Sequence, residues 1–171
     1  MFPGTSASFQ DALSPTTVTA TRAGLTLVAH VVRMSTVKVT FPGGVAVDAT
    51  YKGHTIRSDQ PIDAGGQDSA MSPFDLFLAS IATCMGFYAL RFCQERSLPT
   101  EGLSLTLDPI RDEQGKRVSV VRVSLELPHG FPEKYRAAIE RAVDHCAVKK
   151  HILEPPQFEL SVVGVEVSQL P

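Results

Sequence analysis

The 171-residue chain has no tryptophan, only three cysteines, and no cationic run beyond Lys149-Lys150. Three thiols are an odd number and too few for a secreted disulfide framework. A reducing cytosol is therefore the expected compartment, where cysteines are buried, metal-binding or catalytic. Sixteen basic against eighteen acidic residues give a net charge of −2. That balance argues against nucleic acid or an anionic membrane as partner. No uninterrupted apolar run approaches the roughly 18 residues of a membrane span. Gly43-Gly44 and Gly65-Gly66 lack the following helix pattern of a nucleotide-binding loop, and no Gly-x-Ser-x-Gly elbow occurs. No nicotinamide, flavin, ATP or other cofactor is therefore expected.

What remains is the composition of an ordinary globular domain, 43% hydrophobic and 20% charged, long enough for a real core. Residues 1–33 differ from the rest. They are rich in small residues, with Asp11 the only acid and Arg22 and Arg33 the only strong bases. They read as a flexible extension or a start-site artefact, and residues 34–171 as the domain proper. From Thr36 the pattern alternates: strands are predicted over residues 37–41, 45–51 and 54–58, with turns at Pro42-Gly43-Gly44 and Lys52-Gly53. Ser72 as N-cap and Pro73 at N1 open a helix running to about Arg96, with Asp75 at N3 in the place of a capping-box acid. A hairpin over 103–107 and 117–127 follows. A second helix begins at Pro132-Glu133 and carries an apolar stripe through Cys146. A last strand is predicted over 158–167 after Pro155-Pro156. The order βββ-α-ββ-α-β implies an α+β fold with antiparallel sheets.

Two cysteines stand in helical segments far apart in sequence, Cys84 among small residues (Ala79, Ser80, Ala82, Thr83, Gly86) and Cys146 ahead of Ala147, Val148, Lys149, Lys150 and His151. Two thiols that converge in space could reduce a peroxide, one attacking and the other resolving the sulfenic acid. Equally, Cys84 could be an inert cysteine of a packed helix, and the lysines could simply complement a helix C-terminus. Cys93, nine residues after Cys84, falls on the opposite helix face and reads as a core hydrophobe. A metal site of Cys84, Cys146 and His145 or His151 is disfavoured. His145 and Cys146 diverge on a helix, and no Cys-x-x-Cys or His-x-x-x-His spacing exists.

Residues 72–84, Ser-Pro-Phe-Asp-Leu-Phe-Leu-Ala-Ser-Ile-Ala-Thr-Cys, resemble the first-cysteine motif of the OsmC/Ohr family. His145-Cys146-Ala147-Val148-Lys149-Lys150 resembles its second motif, a Cys followed by Pro or another small residue, then Val and a basic position. The resemblance spans about Met34 to Val167. It implies an intertwined homodimer with antiparallel β-sheets wrapped around central helices, and a thiol peroxidase reducing organic hydroperoxides or hydrogen peroxide. Cys84 would be the attacking thiol and Cys146 the resolving one, with an external dithiol as reductant. The family orients an activating Arg with a Glu ten positions before the first Cys. Here that position is Phe74, with Asp75 beside it, and Arg57 is the best candidate for the cation. Phe74, Phe77, Ile81, Met85 and Phe87 are candidates to line an organic-hydroperoxide pocket, or else plain core. The competing reading is a non-catalytic dimer that binds a small apolar ligand.

Overall fold

The computed structural model describes residues 35–164, together with the backbone of Thr16–Val18 and Ala29–Val31. The chain divides into two compact units, 1–72 and 73–171. Most of the extension expected over residues 1–33 lies outside the described residues. Within it, β1 (Thr16–Val18) and β2 (Ala29–Val31) pair antiparallel.

In the first unit, β3 (Lys38–Gly43), β4 (Ala46–Tyr51) and β5 (His54–Ser58) form an antiparallel sheet in that order. The β4–β5 turn places Lys52 and Gly53 at φ 50° and 80°. Two consecutive left-handed residues make the two-residue turn whose twist matches its strands. The β3–β4 register shifts between Thr40 and Gly43, where Pro42 has no N–H to offer the ladder.

The loop after β5 is organised by one buried carboxylate. Asp59 accepts hydrogen bonds from the Ser69 hydroxyl (2.8 Å) and from the main-chain N–H groups of Gln60 (2.8 Å), Gln67 (3.1 Å) and Ser69 (3.2 Å). The Ser69 hydroxyl and these amides together hold its pKa at about 2. The same fold-back brings Gly66 so close to Gln60 that a Cβ there would lie 1.8 Å from the Gln60 carbonyl oxygen.

The second unit is built on α1 (Pro73–Glu95). Its buried positions Ile81, Met85, Ala89, Phe92 and Cys93 follow helical spacing. They pack with Ile139 and Val143 of α2 (Arg136–Asp144), with Phe131, and with Cys146. A single turn of 3₁₀ helix, Glu133–Tyr135, leads into α2. The hairpin of β6 (Ser104–Arg111) and β7 (Val118–Glu126) lays Leu105, Leu107, Val123 and Leu125 against this core. At the end of α1, Ser97 turns left-handed (φ 52°) and the Leu98 N–H closes on the Cys93 carbonyl at 2.9 Å. Pro99 follows, as in a common helix stop. By length and mean hydropathy (1.6) α1 would suffice to cross a bilayer. Small and hydroxyl residues break its apolar runs, which hides that property from a run-length reading.

Two expectations are corrected. The second helix does not continue through Cys146: α2 ends at Asp144, and a separate α3 (Ala147–Leu153) begins after Cys146. Cys146 itself is extended (φ −48°, ψ 117°), and its sulfur caps the new helix. The last strand does not form over Phe158–Gly164, where Phe158, Leu160 and Val162 are more than 90% exposed. The alternation is present, but among the described residues no strand pairs with it, and a strand needs a ladder partner. Residues 165–167 lie outside the described residues.

The lowered pKa of Asp59 fixes the sign of a stability effect. Its ionised form is favoured by the fold, so the contribution is complete above the ordinary carboxylate range and fades as pH falls toward about 2. Asp59→Asn should unfold more readily than wild type at neutral pH. That difference should close on acidification through this range, measured by denaturant titration at a series of pH values.

Candidate functional site

Cys84 sits in the middle of α1, about three turns from its start, where the helix dipole has faded. The nearby hydroxyls do not serve it. Ser80 Oγ donates to the Phe77 carbonyl (2.7 Å) and Thr83 Oγ1 to the Ala79 carbonyl (2.8 Å), so both are turned onto their own helix. What reaches Cys84 comes from the α2–α3 junction. The break after Asp144 swings Cys146 inward, where it is fully buried. Its thiol makes a long 4.0 Å contact to the Ile81 carbonyl, one turn before Cys84. The two thiols are close enough that each shifts the ionisation of the other.

The first turn of α3 completes the arrangement. Three N–H groups at the start of a helix have no partner within it and need an outside acceptor. The Lys149 N–H donates to Cys146 Sγ at 3.4 Å. The N–H groups of Val148 and Ala147 act as donors toward Cys84. The opening amides of α3 therefore all address sulfur, and the first bond inside the helix is Lys150 N–H to the Cys146 carbonyl (3.1 Å).

These donors decide which thiol ionises. Burial pushes the Cys84 pKa up, but the Val148 N–H, the Cys146 thiol and the Ala147 N–H outweigh it and bring the net below that of an ordinary cysteine. Cys146 goes the other way. Burial raises it, and a charged Cys84 beside it raises it further, against the Lys149 and Val148 amides. Cys93, fully buried on the opposite face of α1, is raised by burial, with Arg96 opposing. The two neighbouring thiols are therefore shifted in opposite directions, Cys84 down and Cys146 up.

Of the expected site residues, Cys84 and Cys146 are brought together. Lys149 contributes through its main chain only, since its ammonium pairs with Asp144. Asp75 lies in the first turn of α1. Arg57 lies on β5 in the other unit, exposed, its backbone paired with Asp48. The aromatic pocket does not assemble as expected: Phe74, Phe77 and Phe87 are exposed. Instead, a cavity of about 700 Å³ opens beside the core, lined by Ile81 and Met85 with Val123, Leu125, Ile139 and Val143 among others. Among the described residues no cluster of three His, Cys, Asp or Glu side chains could hold a metal ion. The main-chain donors were missed by sequence reasoning. Their only written trace is Ala147, a residue that keeps the N–H a proline would lack.

A family model described as OsmC-like protein matches residues 66–161, more than half the chain. A solved structure from Psychrobacter arcticus 273-4, named for osmotic stress induction and detoxification response, is 25% identical. The match covers 69% of this chain and 88% of that one, with a TM-score of 0.60. A Legionella pneumophila protein named as an organic hydroperoxide resistance protein OsmC is 18% identical over 70% of this chain and 89% of its own, with a TM-score of 0.48. No curated protein matches.

The pH profile of alkylation tests the electrostatics directly. Labelling of Cys84 by iodoacetamide should reach half-maximal rate at a lower pH than a free cysteine, and Cys146 at a higher one. Ala147→Pro removes one donor at the first helical position, where proline is accommodated. It should raise the Cys84 midpoint with the far-UV spectrum unchanged; an unmoved midpoint would show that this amide does not act on the sulfur.

Proposed function

The chain belongs to the OsmC-like family, and on that premise we propose that it is a cysteine-dependent hydroperoxide reductase of the reducing cytosol. The observation that carries the reading is the convergence of Cys84 and Cys146 at the start of α3, with Cys146 Sγ against the Ile81 carbonyl one turn before Cys84 and the two thiols shifted in opposite directions. In the first step the Cys84 thiolate attacks the distal peroxide oxygen. The O–O bond breaks, the sulfur becomes a sulfenic acid, and the alkoxide leaves and takes a proton to become an alcohol, or water from hydrogen peroxide. In the second, Cys146 sulfur displaces hydroxide from the sulfenic acid, forming the disulfide and releasing water. An external dithiol then reduces the disulfide and is itself oxidised.

The proposal keeps Arg57 as a cation acting on Cys84 and Asp75 as the acid that orients it. It also takes a second copy of the chain as partner. On α1, Phe74, Phe77, Phe87 and Leu90 are exposed in the single chain, although the helix is apolar enough to be buried all round. The alternating segment at 158–163 offers a strand without a ladder. Both features suit a homodimer in which sheets wrap central helices. Sedimentation equilibrium should therefore give twice the chain mass, and a monomer at micromolar concentration would count against the assembly.

Reduced protein mixed with one equivalent of an organic hydroperoxide should lose two thiols per chain and yield a Cys84–Cys146 disulfide by mass mapping. Cys84→Ser should consume no peroxide. Cys146→Ser should stop at the sulfenic acid, and Arg57→Gln should slow the first step. An unchanged rate in Arg57→Gln removes Arg57 from the site. If no thiol is lost over minutes, the cavity beside Ile81 and Met85 favours the second reading, a non-catalytic dimer that holds a small apolar ligand.

A further inference from the structure

Cys146 has two roles that conflict. It is the resolving thiol of the proposed cycle, on which this inference rests, and it is the N-cap of α3, its sulfur accepting the Lys149 N–H at 3.4 Å. Its sulfur is enclosed between that amide and the Ile81 carbonyl of α1, with no exposed surface. The remaining opening amides of α3, from Ala147 and Val148, act on the other sulfur of the pair, Cys84. A helix of seven residues has few bonds of its own to fall back on. Its anchoring therefore depends on what the two sulfurs can accept.

Oxidation changes that. When the pair becomes a disulfide, the Cys84 sulfur can no longer carry the negative charge that makes it a strong acceptor, and the S–S bond pulls Cys146, a weak acceptor in either form, toward α1 and away from the Lys149 amide. The same event creates an accessibility problem. Reduction requires a dithiol to approach one sulfur along the S–S axis; Cys84 is partly exposed, but the Cys146 end is buried in the reduced form. We propose that α3 is a redox-gated segment: forming the Cys84–Cys146 disulfide uncaps its first turn, loosens residues 147–153, and so opens the bond to the reductant. Lys149 and Ile152 lie on this segment and also line the cavity beside Ile81, so the same loosening widens the cavity once peroxide has been spent. Reduction restores the acceptors and closes the segment again. The reduced and oxidised forms thus differ at α3, a surface feature by which a reductant can tell them apart.

The test uses the full chain and amide hydrogen exchange read by mass spectrometry. The disulfide is made with diamide, a two-electron thiol oxidant that leaves as its hydrazine, and verified by mass. Amides of residues 147–150 should exchange about five- to tenfold faster in the oxidised protein, the scale of a lost helix cap. The core amides of α1 should not change. Cys84→Ser treated in the same way should show no change. Reduced Cys146→Ala, without a cap, should exchange faster at 147–150 than Cys146→Ser, whose hydroxyl can accept. Equal or slower exchange in the disulfide form overturns the proposal, as does failure of diamide to join the two cysteines. A disulfide that loosens α3 with diamide, but never forms with hydroperoxide, would sink the peroxidase reading and leave this inference standing.

Discussion

A thiolate inside a protein is stable only where donors replace the water it has lost. Here the donors are main-chain amides, and they exist because the chain breaks between Asp144 and Ala147. Had the second helix run on unbroken, the amides of residues 147–149 would be bonded to carbonyls one turn back. The break frees them, turns Cys146 inward, and directs the start of α3 at two sulfurs at once. The lowered pKa of Cys84, the raised pKa of Cys146 and the burial of Cys146 all trace to that junction. Because the acceptors are sulfur, the local order of the backbone becomes tied to the oxidation state of the side chains.

The apolar surface has a comparable logic. The β3–β5 sheet leaves Val39, Phe41 and Ile56 exposed, α1 leaves Phe74, Phe77 and Phe87, and the segment after Pro156 leaves Phe158, Leu160 and Val162. Scattered apolar residues on a surface need no explanation, but aligned ones do. These lie along one helix and along alternating extended segments, the arrangement expected of elements completed by a neighbour. Under the proposed homodimer, these are the elements that the second copy would complete.

Much of the fold was legible because its signals are local. Lys52-Gly53 and Pro42-Gly43-Gly44 mark turns, Ser72-Pro73 opens α1, Leu98-Pro99 closes it, and period-two alternation gives the strands. The two cysteines were legible as a pair through their flanking motifs. The break at Cys146 was not, since Ala142 to Lys150 keeps helical periodicity throughout, and a cap made by sulfur has no composition of its own. Nor were the amide donors, which belong to the backbone and are set by conformation. The segment from Gln60 to Met71 shows in the sequence only as a Gly- and Asp-containing loop. That one carboxylate gathers it depends on a buried position that residue type alone does not reveal.

The nine-position spacing of Cys84 and Cys93 acquires a meaning when the chain is considered before it folds. Closing a loop costs entropy that grows with the logarithm of its length. An 84–93 pairing spans 9 residues and an 84–146 pairing spans 62, so the shorter is favoured by roughly 1.7 kcal/mol in a flexible chain. Once α1 forms, two and a half turns of helix separate the two side chains and set them on opposite faces, and that shortcut is closed. The folded helix thus acts as a proofreader that keeps Cys84 and Cys93 from joining each other.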